Sequence, residues 1–322
     1  MKKPNAIIAG EPNSISSEII FKSWKLKNKY NFKPFFVIGS YHLINLQKKK
    51  MKYKIKIKRI NNSFKIKDLN KKFLPVLDIK YKQKSPFKKI STNSNRYIFN
   101  SFDKALELIK KRKIQSFINC PVSKETLFKN NHQGVTEYLS KKSGKKFEVM
   151  LIYNKKLSVC PITTHIPLKE VSKKIDKNKI VNKIKIINSF YIKILKKKPR
   201  FAVLGLNPHN YSSPKKSKEN QIIKKAINTL KKSKIKITGP ISPDTSFIIN
   251  KKYKFDVIVG MYHDQVLTPF KALFKYNAIN ITLGLPYIRV SPDHGIAEDI
   301  VGKNIANPNS LIDSIKFFNN IN

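Results

Sequence analysis

The chain has 322 residues, with 67 Lys or Arg against 19 Asp or Glu, which gives a formal net charge of +48 at pH 7. Its residues are 40% hydrophobic and 11% aromatic, enough to bury a sizeable core, and this composition excludes wholesale disorder. Two cysteines without CxxC or CxxH spacing argue against a disulfide scaffold and against a zinc ribbon. No apolar run approaches the ~20 residues that span a bilayer, so we expect a soluble, cytoplasmic protein with no membrane partner.

The lysines are spread along the whole chain instead of forming one basic arm. Lys, Asn and Ile are encoded by A/T-rich codons, so genome composition is a sufficient cause of the charge. We therefore expect weak, salt-sensitive binding to nucleic acids in general and no specific nucleic-acid partner.

Short, apolar, β-branched runs predict eight strands. In chain order they are Asn5–Ala9, Phe35–Gly39, Gln115–Asn119, Val149–Tyr153, Val159–Thr163, Ala202–Leu206, Val257–Met261 and Ile279–Leu283. Helix-period segments lie between several of them. One apolar stripe runs from Ile180 to Ile194 and stops before Pro199, and the pattern places helix caps at Ser101 and Ser310.

Two further stretches are less regular. Between residues 52 and 60, Tyr53, Ile55 and Ile57 alternate with lysines, which predicts a half-buried, antiparallel edge strand. Residues 43–100 carry the weakest pattern, and we expect them to hold irregular loops. Apolar strands separated by helices predict an α/β fold whose mostly parallel sheet is covered on both faces.

Three of the six histidines share one context, because His165, His209 and His263 each follow a predicted strand by a few residues. The carboxyl ends of parallel strands meet at one edge of a sheet, so this pattern favours a divalent metal site with three imidazole ligands. Asp264 and Asp244 are candidates to orient the imidazoles or to act as acid–base groups. The alternative is that each histidine is an ordinary loop or core residue whose ring is satisfied by local hydrogen bonds.

A second cluster contains Lys271, Asn280, Thr282 and Arg289, which suit a carboxylate or phosphate on a substrate. In a chain with 67 cations most such clusters arise by composition, and Arg289 stands out because its surroundings are apolar. The sequence contains neither GxGxxG nor GxxxxGK[ST], and neither GxSxG nor HExxH. The residues alone therefore predict a metal-assisted enzyme acting on a small anion.

Several motifs together resemble the 4-hydroxythreonine-4-phosphate dehydrogenase family of pyridoxal phosphate (vitamin B6) biosynthesis. They occur in the family's order and span nearly the whole chain: Gly10-Glu-Pro, Cys120-Pro-Val-Ser-Lys, Thr163-Thr-His-Ile-Pro-Leu, Gly205-Leu-Asn-Pro-His, Gly239-Pro-Ile-Ser-Pro-Asp-Thr, Met261-Tyr-His-Asp-Gln, Asn280-Ile-Thr-Leu-Gly-Leu-Pro-Tyr-Ile-Arg and Asp293-His-Gly. The resemblance implies an isocitrate/isopropylmalate dehydrogenase-like fold, with two α/β/α domains flanking an active-site cleft. It also implies a homodimer with a shared active site. We expect one domain at 1–128 plus about 292–322, and a second at 129–291 that carries the metal and substrate residues.

The resemblance also assigns roles to residues. The family's metal ligands fall on the same three histidines, and its substrate contacts fall on Thr136, Lys271, Asn280 and Arg289. Asp244 and Asp264 match further family positions and, with Lys271, are expected to be catalytic. The implied cofactors are NAD or NADP and a divalent metal (zinc, magnesium or cobalt), and no cofactor-binding residue is assigned.

The implied reaction is oxidation of 4-phosphooxy-L-threonine with NAD, followed by decarboxylation to 3-amino-2-oxopropyl phosphate. This chain departs from the family at several positions. Val135 replaces a histidine that contacts substrate, and His132, three residues earlier, is a candidate replacement. Cys120 stands where the family has glycine, and the loop after Gly10-Glu-Pro lacks the family's further glycines.

These departures leave two alternatives open. One is a dehydrogenase of another phosphorylated hydroxy acid, such as a tetronate 4-phosphate, which Val135 would favour. The other is a degenerate homologue without catalysis, or a basic protein associated with nucleic acid.

Overall fold

A computed structural model describes residues 3–128, 134–145, 148–211 and 217–321 of the chain. Its strands are β1 (Asn5–Ile8), β2 (Phe35–Gly39), β3 (Ile57–Ile60), β4 (Leu74–Asp78), β5 (Ser116–Asn119), β6 (Val149–Tyr153), β7 (Ser158–Pro161), β8 (Arg200–Leu204), β9 (Lys236–Ile241), β10 (Val257–Gly260), β11 (Ile279–Leu283) and β12 (Ile288–Pro292). Its α-helices are α1 (Ser16–Lys25), α2 (Tyr41–Lys50), α3 (Asn95–Lys110), α4 (Lys124–Phe128), α5 (Val135–Lys142), α6 (Leu168–Lys174), α7 (Lys177–Lys193), α8 (Lys224–Lys232), α9 (Ser246–Tyr253), α10 (His263–Phe274) and α11 (Asn309–Ile321).

The chain divides into two compact units. Unit 1 comprises Met1–Gly134 and Tyr287–Asn322, and unit 2 comprises Val135–Pro286. Since the chain leaves unit 1 and returns to it, unit 1 is discontinuous in sequence.

Unit 1 contains a parallel sheet in the order β3-β4-β2-β1-β5-β12. Its central strands are fully buried, as their unbroken apolar sequences predict, and Ile7, Phe36 and Phe117 have no exposed surface. Long crossovers are needed between parallel strands, and helices such as α1 and α3 supply them.

Unit 2 contains a mixed sheet in the order β11-β6-β7-β10-β8-β9. The four strands from β7 to β9 are parallel, whereas β6 pairs antiparallel with both β7 and β11. Its buried core joins strand residues to one face of α10, with Ile152, Val159, Ile258, Val266 and Phe270 among its members. This packing fixes α10, and with it the loop that follows β10.

All eight predicted strands are present to within a few residues, and the predicted α/β class is confirmed. The apolar stripe that begins at Ile180 lies on α7, which starts earlier, where the side chain of Asp176 accepts a hydrogen bond from the Lys179 N–H at 2.8 Å. Asp176 is therefore the N-cap, a position that the apolar pattern alone did not indicate.

The antiparallel prediction for residues 52–60 is wrong. The strand formed there is β3, at the edge of the sheet as expected, but it pairs parallel with β4. Irregular loops are present in residues 43–100 as expected, the longest being 79–91, but this stretch also holds most of α2, all of β3 and β4, and the start of α3. Alternation of apolar and charged residues indicates a half-exposed strand, but it is the same for a parallel and for an antiparallel strand. The direction of β3 therefore depends on its pairing with β4.

Both predicted serine caps are wrong as well. Ser101 lies inside α3, and its Oγ donates a hydrogen bond to the carbonyl oxygen of Tyr97 at 2.8 Å. Ser310 lies in the first turn of α11, where its Oγ accepts from the Asp293 N–H at 2.8 Å. None of the helices formed by the described residues combines the length and the hydropathy that a bilayer-spanning segment needs.

Candidate active site

The three strand-end histidines (His165, His209 and His263) follow neighbouring strands of unit 2. His165 follows β7, His263 is the first residue of α10 after β10, and His209 follows β8. Because β7, β10 and β8 are adjacent and parallel, their carboxyl ends lie on one edge of the sheet, where binding sites of such folds form. The sequence pattern predicted this placement.

Two of these histidines lie side by side. The ring centroids of His165 and His263 are 5.8 Å apart, with 44° between the ring planes. Two imidazoles that bind one metal ion through nitrogen at about 2.1 Å have centroids roughly 5 Å apart, so small side-chain rotations would bring this pair to ligand geometry. Their loops are joined by Thr163, whose N–H and Oγ both donate to the carbonyl oxygen of Met261, at 3.1 and 2.7 Å.

Each strand-end histidine has a carboxylate beside Nδ1. Nδ1 of His263 hydrogen-bonds with Oδ1 of Asp264 at 2.8 Å, that of His165 lies 3.6 Å from Oε1 of Glu137, and that of His209 lies 3.8 Å from Oδ2 of Asp244. A carboxylate at Nδ1 favours the tautomer in which Nε2 is the nitrogen that binds a metal. This donor set suits a borderline divalent cation such as zinc or cobalt.

Glu137 is a residue that sequence reasoning missed. Its place directly after Thr136 was the available signal, since the resemblance already placed Thr136 at the site. Both residues lie in the first turn of α5, and this turn therefore reaches His165 as well as the substrate residues.

The carboxyl group of Asp244 is exposed, and its neighbours lower its pKa. The hydrogen bond from the Ser242 hydroxyl, at 2.7 Å, holds the pKa of this carboxyl below its usual range, with further lowering from the Thr245 N–H and from His209. Asp244 therefore remains a carboxylate at neutral pH and can hold a proton-bearing Nδ1 of the imidazole opposite.

His209 differs from the other two in its surroundings. Its side chain is 84% exposed, and its backbone is left-handed, with φ 50° and ψ 25°. Across the described ranges of the single chain, no three or more His, Cys, Asp or Glu side chains are grouped so as to hold a metal ion. The structure thus brings His165 and His263 together and leaves His209 apart from that pair.

The loops of His209 and His263 are tied together by Gln265. Its Nε2 donates to the carbonyl oxygen of Gly205 at 2.8 Å, and its Oε1 accepts from the Met261 N–H at 2.6 Å. A Cβ at Gly205 would lie 2.3 Å from Oδ1 of Asn210 and 3.2 Å from its Cα, so a larger residue at this position would force the Asn210 side chain to move. The two strand ends are consequently held in a fixed relation within unit 2.

The predicted substrate residues of unit 2 lie on β11, α5 and α10. Oγ1 of Thr136 is 3.3 Å from Oγ1 of Thr282, and Thr282 shares a face of β11 with Asn280, two residues before it. Oδ1 of Asn280 is buried and has no hydrogen-bond partner among the described residues, which is costly unless a ligand supplies one. Lys271 lies in the last turn of α10 with its side chain exposed.

Arg289 belongs to unit 1, on β12, and is 4% exposed. Its Nε donates to Oδ1 of Asn119 at 2.5 Å, which orients the guanidinium at the carboxyl end of β5. A buried guanidinium requires anionic or polar partners, so this group is suited to an anionic substrate.

The departures from the family pattern have structural consequences. Val135 is the first residue of α5 and is buried, directly before Thr136. His132, the candidate replacement, lies outside the described residues. Cys120 is fully buried, and burial raises the pKa of its thiol, so it is no nucleophile at neutral pH.

Comparison with known proteins first defines the class. The chain has the fold of a β-decarboxylating dehydrogenase from Thermococcus kodakarensis, with a TM-score of 0.51 at 12% identity over 97% of this chain and 81% of that one. It is far closer to a 4-hydroxythreonine-4-phosphate dehydrogenase from Klebsiella pneumoniae, with a TM-score of 0.84 and 28% identity over 99% of both chains. The predicted isocitrate/isopropylmalate dehydrogenase-like fold is therefore confirmed.

Sequence comparison then defines the family. The profile described as "Pyridoxal phosphate biosynthetic protein PdxA" matches residues 31–318. A 4-hydroxythreonine-4-phosphate dehydrogenase from Sulfurihydrogenibium sp. (strain YO3AOP1) is 39% identical over 97% of this chain and 96% of its own length. The chain belongs to the PdxA family, whose members are oxidoreductases, and the predicted resemblance is confirmed.

Proposed function

We propose that this protein is an NAD(P)-dependent, metal-assisted dehydrogenase that oxidises 4-phosphooxy-L-threonine and releases CO₂ to give 3-amino-2-oxopropyl phosphate. Family membership supports the substrate class. The observation that carries the proposal in this chain is the adjacent His165–His263 pair at the strand ends, with a carboxylate beside each Nδ1.

The strand-end histidines are the proposed metal ligands. A divalent cation bound there would lower the pKa of the substrate alcohol and stabilise negative charge on its oxygen as CO₂ leaves. Asp264, Asp244 and Glu137 act through the imidazoles, since each keeps a proton on Nδ1 and so presents Nε2 to the cation.

The substrate is oriented by polar groups on several elements. Oδ1 of Asn280, which has no partner among the described residues, accepts a hydrogen bond from the substrate. The Thr136 hydroxyl, on α5, lies next to Thr282, which is on the same face of β11 as Asn280. Lys271 and Arg289 each bind an anionic end of the substrate. Contacts to the anionic groups of a bound substrate would orient its carbinol C–H and its carboxylate.

The electron balance requires a hydride acceptor, which NAD(P) supplies. With NAD(P) bound, the nicotinamide would take the hydride of the carbinol carbon while the hydroxyl proton is released, and the resulting β-keto acid would lose CO₂ and gain a proton in place of the carboxylate. Unit 1 has a pocket of about 390 Å³ whose lining includes Lys82, Lys88 and Lys89, and the positive charge of these side chains would attract the phosphates of a dinucleotide.

We further propose a homodimer whose active site takes His209 from the second subunit. The His209 ring is exposed, and large apolar side chains that are also exposed lie close to it and to Asp244 in the sequence: Tyr211, Ile248 and Tyr253, at 61%, 68% and 50%. Exposed apolar groups on a folded unit are typical of a protein–protein interface. An interface there would deliver the third imidazole to the His165–His263 pair of the partner.

A substrate panel tests the function. With a divalent metal and NAD or NADP present, NADH or NADPH absorbance should rise with 4-phosphooxy-L-threonine, and His209→Ala should lose both bound metal and activity. Turnover with a tetronate 4-phosphate alone would favour the second candidate, which the buried Val135 supports by removing a polar contact. No turnover with either substrate would contradict the proposal.

A further inference from the structure

Glu219 is a buried carboxylate that the proposed mechanism does not use. It begins a π-helical segment, Glu219–Ile223, that runs directly into α8, and it has no exposed surface. Burying a charge is strongly unfavourable unless hydrogen bonds satisfy it, so a buried glutamate at this position needs a structural or functional reason.

The partners of Glu219 lie in the loop that carries His209. Oε1 accepts from the backbone N–H of Leu206 at 3.0 Å and of Asn207 at 2.9 Å. Nδ2 of Asn207 donates to both carboxylate oxygens, at 3.1 and 3.3 Å. The Glu219 side chain therefore accepts four hydrogen bonds from two consecutive residues, Leu206 and Asn207, which lie just before Pro208 and His209.

The loop needs such an anchor because its backbone is strained. His209 and Asn210 both have positive φ, at 50° and 61°, a region that residues other than glycine rarely adopt. Consecutive left-handed residues persist when surrounding contacts determine them. Glu219 fixes the loop before the strained pair, and Nδ2 of Asn210 fixes it at the pair itself by donating to the carbonyl oxygen of Pro240 at 3.0 Å.

We propose that Glu219 is a positioning residue that holds the His209 loop in the conformation that presents this imidazole to the metal. The inference rests on the proposed function, since it assumes that His209 is a metal ligand. Glu219 touches neither the metal nor the substrate in this role. It acts as a negatively charged acceptor for N–H groups that would otherwise lie unpaired beside the site.

Glu18 offers a matched control, because it is also a buried glutamate but lies in unit 1. It is 1% exposed and bonds with Lys22 at 2.7 Å and with the Ala306 N–H at 2.7 Å. Glu18→Gln removes a buried charge without touching any residue of the His209 loop. Glu219→Gln can keep Oε1 for the two backbone N–H groups, but it removes the negative charge that strengthens those bonds and puts an NH₂ group in place of Oε2, opposite the Asn207 amide.

The experiment is a Co²⁺ titration of the full-length, metal-stripped protein, read from the visible absorption of bound cobalt. We expect Glu219→Gln to bind Co²⁺ about 10–100-fold more weakly than the unmodified protein, with an altered spectrum, as loss of a residue that orients a ligand typically does. Glu18→Gln should bind Co²⁺ normally even though it is less stable. Asn207→Ala, which removes two of the four contacts, should show a smaller weakening and decides the question if Glu219→Gln does not fold.

The outcomes separate the two proposals. If His209→Ala binds Co²⁺ as tightly as the unmodified protein, His209 is no ligand, and both the proposed metal site and the role of Glu219 are overturned. If His209→Ala loses cobalt while the folded Glu219→Gln and Asn207→Ala variants bind it with the unmodified affinity and spectrum, the positioning role alone is overturned.

Discussion

Mixing two inactive variants gives a quantitative test of the shared active site. His165→Ala removes one of the two histidines that a subunit contributes to its own site. His209→Ala removes the histidine that a subunit contributes to the site of its partner. A heterodimer of the two holds one site with both defects and one site with every histidine intact. Two inactive proteins should therefore regain activity when their subunits exchange.

The magnitude follows from symmetry. Random exchange of equal amounts in a two-fold dimer gives about half heterodimers, and each heterodimer has one intact site of two, so about one quarter of all sites are restored. We expect about a quarter of the activity of the unmodified protein in the NADH assay, with bound metal restored to the same fraction.

The matched control is a mixture of His165→Ala and His263→Ala. Both defects lie in the same half of the proposed site, so every heterodimer site lacks one histidine and no activity should return. Recovery in neither mixture, with subunit exchange verified by mass spectrometry, would refute the shared site. Recovery in both would refute the division of the histidines between subunits.

Three further predictions concern other parts of the molecule. Val135→His should raise kcat/KM about 5–160-fold with 4-phosphooxy-L-threonine, because a hydrogen bond to a substrate contributes about 1–3 kcal/mol; an unchanged value would mean that the pocket has diverged. Gly205→Ala should lower the melting temperature, since its Cβ would lie 2.3 Å from Oδ1 of Asn210 and would displace the amide whose Nδ2 donates to the Pro240 carbonyl, whereas Gly295→Ala, with nothing within 4 Å, should melt as the unmodified protein does. Burial raises the pKa of Glu11 above 4.5, so the folded state binds this proton more tightly and unfolding free energy should fall as pH rises from 4.5 through the raised value. Glu11→Gln should lack that part of the pH dependence in urea unfolding, and equal pH profiles for both proteins would contradict the assignment.

Much of the fold was predictable because its signals are local. Runs such as Phe35–Gly39 and Val257–Gly260 are apolar on both faces, and this composition suits strands buried under helices. The position of the three histidines directly after strands also predicted that they lie at one edge of the sheet, since the carboxyl ends of parallel strands lie together. The order of residues along the chain was therefore enough to predict where the candidate site lies and which residue types form it.

The sequence failed where a distant partner decides the outcome. The direction of β3 depends on β4, some fourteen residues further along, and the alternating pattern of β3 is the same in either direction. Serine occurs both at helix caps and inside helices, so the sequence did not distinguish the two at Ser101. Because α3 begins at Asn95, Ser101 lies inside the helix. Residues that contribute through long-range contacts leave no local trace.

The sequence by itself determined the α/β class, the strands and the family motifs, because composition and spacing encode burial and chemistry residue by residue. Only the tertiary structure decided that Glu137 lies beside His165, that Gln265 joins two loops and that Glu219 anchors the His209 loop. Hydrogen bonds between residues distant in sequence form only after the chain has packed, so a linear pattern cannot specify them.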